Sequence, residues 1–317
     1  MNILYCGDEG ISRGVLVSIL SIMMNGEKHT SDFKNHTIAN NRGEKNHTSF
    51  RPNYTFYIAT IEYKDVKPFK KETAEFLDGL VKKYNPQNSV KLIDATKVFV
   101  DNLPSKNMGS YFTPCSMLRL YADKMPELSK LDRILYLDYD VVCRANFEDF
   151  YNMDMAGVEV AGVLDIYGKH FYRYHGIFKG KNDASRSLPK NEQSKWILKQ
   201  DYMNSGVMLF NMPECIKSRM FEKAVKKCGE RWMMLADQSA LNKVIERRKL
   251  VPRKYNEQGE RPRKDTVLHH FSNNFKFWPY FRVQKVKPFE VKKIHEVLKI
   301  HEYDDILNMY NNLESKL

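Results

Sequence analysis

The stretch RILYLDYDVV, residues 133–142, indicates both the fold and the location of a site. Its apolar run is typical of a buried strand. Two acids close that run, although Asp is depleted in strands and an unpaired carboxylate is costly to bury. Because residues i and i+2 of an extended chain point the same way, we expect Asp138 and Asp140 to converge on one cation while Tyr139 faces elsewhere. Hard carboxylate oxygens favour Mg²⁺ or Mn²⁺.

Strand-like and helix-like segments alternate along the chain around this motif. Short apolar or β-branched runs predict strands in NILYCGD, NYTFYIAT, SVKLIDA, RILYLD, VEVAGVLD and SGVMLFN. Apolar residues at helical spacing predict helices, among them CSMLRLYADKM, about 213–228, about 236–248 and a tail from about 289. The alternation predicts an α/β fold whose mostly parallel sheet is covered by helices on both faces.

Three of the predicted strands end in an acid, namely Asp8, Asp138 and Asp165. Ligands of such sheets bind beyond the carboxyl ends of the strands. Three acids at one sheet edge therefore predict a site for cations and a polyol. The competing interpretation is that each acid caps the helix or turn that follows it.

Composition narrows the function classes. The chain has 317 residues and a formal net charge of +12, so it attracts phosphates of nucleotides, nucleic acid or anionic membranes. The basic segment 247–264 carries no accompanying nucleic-acid motif, and we interpret it as a loop near a diphosphate or a patch that contacts anionic lipid. Five scattered cysteines and no leader before the first strand favour the cytoplasm, with peripheral contact at the inner face of the membrane.

Six motifs together resemble the family 8 retaining glycosyltransferases, the glycogenin-like and bacterial lipopolysaccharide galactosyl/glucosyltransferase-like enzymes. In order they are NILYCGDEG, SMLRLYADKMPELSKLDRILYLDYDVV, VAGVLD, YMNSGVMLFN, ADQSALN and HHFSNNFKFW. The resemblance implies a GT-A fold, Rossmann-like, over residues 1–280, followed by a helical tail at 281–317. Within the catalytic domain, residues 25–53 are a polar insertion and 166–201 an acceptor-side region.

The same resemblance implies the site residues. Asp138, Asp140 and His270 would hold the metal, Mn²⁺ with Mg²⁺ as the alternative. Donor-binding roles are implied for Cys6, Gly7, Asp8, Arg119, Asp138, Tyr139, Asp140, Asn204 and Lys276. Catalytic or sugar-holding roles are implied for Asp165, Asp237 and Gln238. For Arg119 the competing interpretation is a surface ion pair. Two departures stand out: no tyrosine follows Asp8, and Asn273 replaces a motif glycine.

The implied reaction is the retaining transfer of glucose or galactose from a UDP-hexose to a glycan, lipid-linked or protein-linked acceptor, as in bacterial cell-surface polysaccharide synthesis. The sequence leaves the sugar, the acceptor and the oligomeric state open. One alternative is a haloacid-dehalogenase-like phosphatase or phosphotransferase, which also places D-x-D after a strand, although Val141 and Val142 fit that motif poorly. The other is a non-catalytic sugar-nucleotide binding module.

Overall fold

A computed structural model describes residues 1–28, 52–108, 114–166, 201–230, 232–233, 235–272 and 286–317. Most of the predicted insertion at 25–53, nearly all of the acceptor-side region at 166–201, and Lys276 lie outside these residues. In the described part of the chain, no helix is long and apolar enough to cross a bilayer. All five cysteines are described; each is buried and has a free thiol.

The described strands form a seven-stranded sheet and a two-stranded one. They are β1 (Asn2–Cys6), β2 (Thr55–Thr60), β3 (Ser89–Asp94), β4 (Arg133–Leu137), β5 (Val141–Cys143), β6 (Val160–Leu164), β7 (Met203–Asn211), β8 (Arg248–Leu250) and β9 (Leu268–His270). The large sheet has the order β3-β2-β1-β4-β7-β6-β8, and the small one pairs β5 with β9. Only the pairings of β7 in the large sheet are antiparallel, so the predicted mostly parallel sheet is confirmed.

Helices cover both faces of the large sheet. The described α-helices are α1 (Ser12–Asn25), α2 (Lys71–Tyr84), α3 (Thr96–Val100), α4 (Pro126–Ser129), α5 (Glu148–Tyr151), α6 (Met212–Lys217), α7 (Met220–Glu230), α8 (Ala236–Val244), α9 (Val291–Lys293) and α10 (Asp304–Leu313). Alternate residues of β4 enter opposite cores: Leu135 and Leu137 pack on the side of α1 and α10, whereas Ile134 and Tyr136 pack on the side of α7 and α8. This alternation follows from the two-residue period of a strand.

Three predicted helices differ in detail. The segment Pro114–Lys124 is a 3₁₀-type helix. The helix expected over 213–228 breaks into α6 and α7 at Arg219, which adopts a left-handed backbone with φ of 56°. The helix expected over 236–248 ends at Val244, because Ile245 is extended and the chain then pairs with β6 as β8. Helical spacing alone does not reveal such breaks, since they arise from backbone turns and sheet pairing.

Strand directions bring one set of chain segments to a single sheet edge. Strand β4 is parallel to β1, and β7 runs antiparallel to both β4 and β6. The start of β7 therefore lies beside the carboxyl ends of β4 and β6. Residues 138, 165 and 204 meet there for this reason.

Candidate active site

The Asp-x-Asp pair and a histidine converge at this edge. His270 Nε2 lies 3.3 Å from Asp140 Oδ1 and 3.5 Å from Asp138 Oδ2. One ligand atom from each of the three side chains lies within 4.8 Å of the others. Asp140 Oδ1 is buried and lacks a hydrogen bond of good geometry, which is costly unless a cation satisfies it. Two carboxylates and an imidazole around such an oxygen fit a divalent metal.

Backbone hydrogen bonds hold this cluster, which we call the carboxylate–histidine cluster. Asp138 N donates to Gly206 O of β7 at 2.8 Å, and a turn closed by Val141 N to Asp138 O then starts β5. Strand β9 pairs with β5 so that His270 lies opposite Val141. The small sheet thus places the histidine beside the second aspartate, 130 residues earlier in the chain.

Gly206 permits the close approach of His270. A Cβ atom at residue 206 would lie 2.1 Å from Cε1 of the His270 ring and 2.6 Å from its Nδ1. Real Cβ atoms do not approach other atoms so closely, so any larger residue would displace the ring. Gly206 is a site residue that the sequence analysis missed; its position beside Asn204 in the NSG stretch is the only available signal.

Tyr139 packs against α1, but Tyr139 and Asp140 lie in a turn, so the extended-chain alternation expected over residues 138–140 is not observed. The Tyr139 ring lies against Gly14 of α1, where an added Cβ would come within 2.4 Å of Cδ2. Lys287 Nζ lies 5.2 Å from the centroid of the same ring. The donor contact implied for Tyr139 therefore stays a prediction.

Lys287 is the second residue that the sequence analysis missed, because it lies beyond every motif. Its ammonium donates to Asp140 Oδ2 at 2.5 Å, and the side chain is only 16% exposed. Burial opposes its charge, but the negative charges of Asp140 and Asp138, the hydrogen bond to Asp140 and nearby Tyr139 together outweigh burial and raise the pKa of Lys287. Lys287 and any metal would therefore share one carboxylate.

Opposite charges stabilise the ionised forms inside the cluster. Burial favours the neutral form of Asp140, yet the charges of Lys287 and His270 lower its pKa well below the usual range. Burial also disfavours imidazolium at His270, yet Asp140 and Asp138 raise its pKa above the ordinary value. The cluster thus prefers a positive partner for its carboxylates, whether a proton on His270, an ammonium or a metal.

Arg119 is buried at 3% exposure rather than on the surface. Its guanidinium donates to Asp138 Oδ1 at 3.0 Å and to Ser205 O at 2.7 Å, and it lies 3.2 Å from Asp237 Oδ2. The group also lies 3.7 Å above the Tyr136 ring, whose hydroxyl donates to Asp138 Oδ1 at 2.7 Å. The competing interpretation is thus right that Arg119 forms an ion pair and wrong that it lies on the surface. Arg119 positions the carboxylates; its donor contact stays a prediction.

Asp237 lies in the first turn of α8 and is buried. Burial raises the pKa of Asp237 and nearby Asp138 adds to that rise, while Arg119 opposes it. The arginine thus compensates part of the cost of burying two carboxylates close together.

Neutral amides form a second group at the same edge, the amide cluster of Asp165, Asn204, Ser205 and Gln238. Asn204 Nδ2 and Gln238 Nε2 donate to Asp165 Oδ2 at 3.1 and 3.0 Å. Gln238 Oε1 accepts from Ser205 N at 2.9 Å. Oriented amides and a carboxylate of this kind suit the hydroxyl groups of a sugar.

The predicted nucleotide end lies after β1. Gly7 N donates to Ala59 O at 3.0 Å, and Cys6 is buried, which raises the pKa of its thiol. Asp8 Oδ1 accepts from Gly10 N at 2.9 Å and caps a 3₁₀ turn at Glu9–Ile11. Asp8 therefore makes the capping contact of the competing interpretation, and its role toward a donor stays a prediction.

Comparison with known proteins identifies the family. The family model described as glycosyl transferase family 8 matches residues 2–281. The chain belongs to glycosyltransferase family 8. The predicted family and enzyme class are confirmed, and this membership argues against the phosphatase and binding-module alternatives.

Curated relatives of this family 8 chain include lipopolysaccharide glycosyltransferases. A lipopolysaccharide 1,2-glucosyltransferase of Escherichia coli is 24% identical, over 96% of this chain and 84% of that protein. A lipopolysaccharide 1,3-galactosyltransferase of Salmonella typhimurium is 26% identical, over 60% of this chain and 52% of that protein.

Solved structures show the same fold. The apo WbbM bifunctional glycosyltransferase has a TM-score of 0.68 at 15% identity, over 98% of this chain, which spans half of that one. The galactosyltransferase LgtC, solved with donor and acceptor sugar analogs, has a TM-score of 0.57 at 12% identity over the whole of both chains. At such identities the likeness establishes the fold alone, and the predicted GT-A class is confirmed.

Proposed function

We propose that this family 8 enzyme transfers glucose or galactose from a UDP-sugar to a glycan acceptor, with Mn²⁺ and with retention of anomeric configuration. The convergence of Asp138, Asp140 and His270 around a buried, unsatisfied carboxylate oxygen carries this proposal. An imidazole beside two carboxylates favours Mn²⁺ over the harder Mg²⁺. When bound, the ion supplies positive charge that stabilises the leaving diphosphate.

The chain's own residues prepare the site before the donor arrives. Arg119 and Tyr136 hold Asp138 in one orientation, while the Lys287 ammonium pairs with Asp140. Such preorganisation avoids rearrangement as charge develops on the diphosphate. Lys276 is proposed as a further cation at that diphosphate, by its place in the family motif.

The amide cluster is proposed to bind the transferred hexose. Asp165 accepts from two amides, and Asn204 is fixed because its Oδ1 accepts from Gly206 N at 2.9 Å, so the cluster presents an oriented set of polar groups. The equatorial or axial position of one hydroxyl distinguishes glucose from galactose, so this cluster is where we expect the sugar to be selected.

Retention is proposed to proceed by attack of the acceptor on the face that the diphosphate leaves. An amide is a poor nucleophile, and the Gln238 oxygen already accepts from Ser205 N. Asp237 faces Arg119, which lowers its nucleophilicity. A phosphate oxygen of the donor would take the acceptor proton. A glycosyl adduct trapped on Asp237 or Gln238 and found by mass spectrometry would overturn this route.

The acceptor class is proposed from the names of the curated relatives, which act on lipopolysaccharide. A lipid-linked glycan at the inner face of the membrane suits a chain of net charge +12. The basic segment 247–264 offers less free charge than its composition suggests. Arg248 pairs with Asp201, and both Arg253 and Arg263 pair with Glu257. Peripheral membrane association released by high salt would support this part.

A donor panel tests the proposed function directly. UDP-glucose and UDP-galactose are incubated with Mn²⁺, Mg²⁺ or EDTA, and UDP release is measured with and without a lipopolysaccharide-core acceptor. We expect Mn²⁺-dependent release that the acceptor accelerates. Hydrolysis of a simple phosphate ester without UDP release would favour the phosphatase alternative. Donor binding without turnover under any condition would favour the binding module.

A further inference from the structure

The C-terminal segment contains a short direct repeat. The tetrapeptide Lys-Ile-His-Glu occurs at 293–296 and again at 299–302, within KIHEVLKIHEYD. Neither copy belongs to the motifs of the transferase site. The repeat places His295 and His301 in matching local sequence, and Asp304 follows three residues after the second histidine.

The backbone folds the two copies against each other. His295 lies in a π-helix, Ile294–Leu298, which ends at Lys299 in a left-handed conformation with φ of 55°. The chain then reverses, and Ile300 N donates to Ile294 O at 3.2 Å. A π-helix is rare and is found frequently at functional sites.

Three buried anchors orient three polar side chains. Ile294, Ile300 and Tyr303 are each no more than 2% exposed, and His295, His301 and Asp304 respectively follow them in sequence. Each of the three polar side chains therefore directly follows a residue that is fixed in the core.

These three side chains meet in a compact set. His295 Nε2 lies 2.7 Å from Asp304 Oδ1, and His301 Nδ1 lies 3.3 Å from Asp304 Oδ2. One ligand atom from each residue lies within 4.8 Å of the others, and the imidazole rings stack with centroids 4.8 Å apart. A tetrahedral zinc ion with bonds of about 2.1 Å needs its ligand atoms roughly 3.4 Å apart. His301 Nδ1 and Asp304 Oδ2, 3.3 Å apart, already lie near that spacing, and His295 Nε2 and Asp304 Oδ1, 2.7 Å apart, lie closer than it.

We propose that His295, His301 and Asp304 form a second metal site, for Zn²⁺ or a similar borderline divalent ion. Two imidazoles and one carboxylate are ligands that Zn²⁺ prefers, whereas Mg²⁺ and Ca²⁺ prefer oxygen alone. Three protein ligands leave one position for water or for a ligand of another molecule. This proposal is independent of the proposed transferase chemistry.

A metal at this site would fix the fold of the C-terminal segment. It joins the π-helix to the start of α10 across the turn at 299–303. The same turn contains Tyr303, whose hydroxyl lies 2.6 Å from His269 Nδ1, and His269 directly precedes His270 of the carboxylate–histidine cluster. A metal at the second site would therefore stabilise the turn that holds Tyr303 against His269, next to His270 of the carboxylate–histidine cluster.

Zinc stoichiometry of the full chain tests the proposal. The wild type, His301→Ala, Asp304→Asn and the control Glu296→Gln are equilibrated with Zn²⁺, and bound zinc is measured by atomic emission. His301 is 67% exposed, so its replacement should not unfold the chain, and Glu296 is an exposed acid of the same repeat. We expect both site variants to bind one equivalent less than the wild type and the control to bind as much. When Co²⁺ replaces Zn²⁺ as a spectroscopic probe, the visible absorption of a tetrahedral Co²⁺ ion at this site should be lost in the two site variants.

A thermal measurement separates a metal site from a plain hydrogen-bonded cluster. Zn²⁺ should raise the unfolding midpoint of the wild type and of Glu296→Gln, and His301→Ala should lose at least part of that rise. Equal zinc stoichiometry in the wild type and in both site variants would overturn the proposal, leaving His295, His301 and Asp304 as a hydrogen-bonded cluster only. The difference between variants cancels zinc bound elsewhere, including at the carboxylate–histidine cluster.

Discussion

The adjacent histidines of β9 have opposite environments on the two faces of one short strand. His270 faces Asp138 and Asp140, which raise its pKa. On the other face, the Tyr303 hydroxyl of the C-terminal segment and the Gly259 carbonyl lie within hydrogen-bond distance of the two ring nitrogens of His269, and burial lowers the pKa of His269 to about 4. One face of the strand therefore stabilises positive charge, and the other excludes it. Successive strand residues point in opposite directions, so a single His-His pair serves both faces.

The different environments of His269 and His270 show that being a histidine is not enough to identify a metal ligand. The His269 ring is fully buried, has both nitrogens satisfied and remains neutral, which makes it a structural residue. The His270 ring approaches carboxylate oxygens, one of which lacks a hydrogen bond. Orientation and partners, rather than proximity in sequence, distinguish a supporting residue from a metal ligand.

The largest expected loss of activity comes from replacing Asp140, which lies on the His270 side of β9. Asp140→Asn preserves shape but removes the charge that Lys287 and His270 share, so we expect transfer activity to fall by about 1,000-fold, as when a main electrostatic stabiliser is lost. The measurement is Mn²⁺-dependent UDP release, with Mn²⁺ affinity by calorimetry. The exposed Asp65→Asn serves as control. Near-normal turnover in Asp140→Asn would make the cluster structural.

The next effect concerns the His269 face. The pKa of His269 is about 4 in the fold against 6.5 ordinarily, so the unfolded chain binds the proton more readily. The stability that neutral His269 contributes is fully present above pH 6.5 and is lost as the pH falls toward 4, by roughly 3 kcal/mol. In His269→Phe the free energy of unfolding should therefore depend less steeply on pH between 4 and 6.5 than it does in the parent chain.

Denaturant titrations at several pH values measure this slope. The level of stability will also drop in His269→Phe because Tyr303 and Gly259 lose a partner, so only the slope is diagnostic. Gly79→Ala, which alters no titratable group and whose Cβ meets nothing within 4 Å, should keep the slope of the parent chain. An unchanged slope in His269→Phe would mean that His269 is protonated equally in both states.

A smaller effect tests the geometry of the His270 face without touching a ligand. The Cβ of Gly206→Ala would lie 2.1 Å from His270 Cε1, so the ring must move. We expect Mn²⁺ affinity to fall by about 10- to 100-fold, as when a supporting group of a metal ligand is altered. Gly79→Ala in α2 is a matched control because its Cβ meets nothing within 4 Å. Equal Mn²⁺ affinity in both variants would contradict a metal role for His270.

The smallest effect, and one of opposite sign, is expected at Lys287. Lys287→Met removes an ammonium that shares Asp140 Oδ2, so Mn²⁺ alone should bind on the order of tenfold more tightly, about 1.4 kcal/mol. Lys292→Met, on a side chain 84% exposed, should leave Mn²⁺ affinity unchanged. Weaker Mn²⁺ binding in Lys287→Met would show that Lys287 orients Asp140 for the metal rather than competing with it.

Much of the site was predictable because its signals are local. The apolar run before Asp138 predicts the strand end that is observed, and the predicted convergence of Asp138 and Asp140 is also observed, although a turn rather than an extended chain brings them together. The strand segments that carry Asp165 and Asn204 were also predicted, as β6 and the start of β7. Local propensity did not predict the helix break at Arg219 or the 3₁₀ geometry of Pro114–Lys124, because backbone turns and packing decide them.

The α/β class, the family and the acidic strand ends can be predicted from short windows of sequence, because they depend on local periodicity and motifs. Only the tertiary structure decided which groups neutralise those acids. Arg119 pairs with Asp138 and Asp237, and Lys287 reaches back 147 residues to Asp140. It also decided that Gly206 makes room for His270 and that the repeat at 293–302 brings two histidines onto Asp304. Contacts across such separations depend on how the strands and helices pack, and no short window of sequence contains that information.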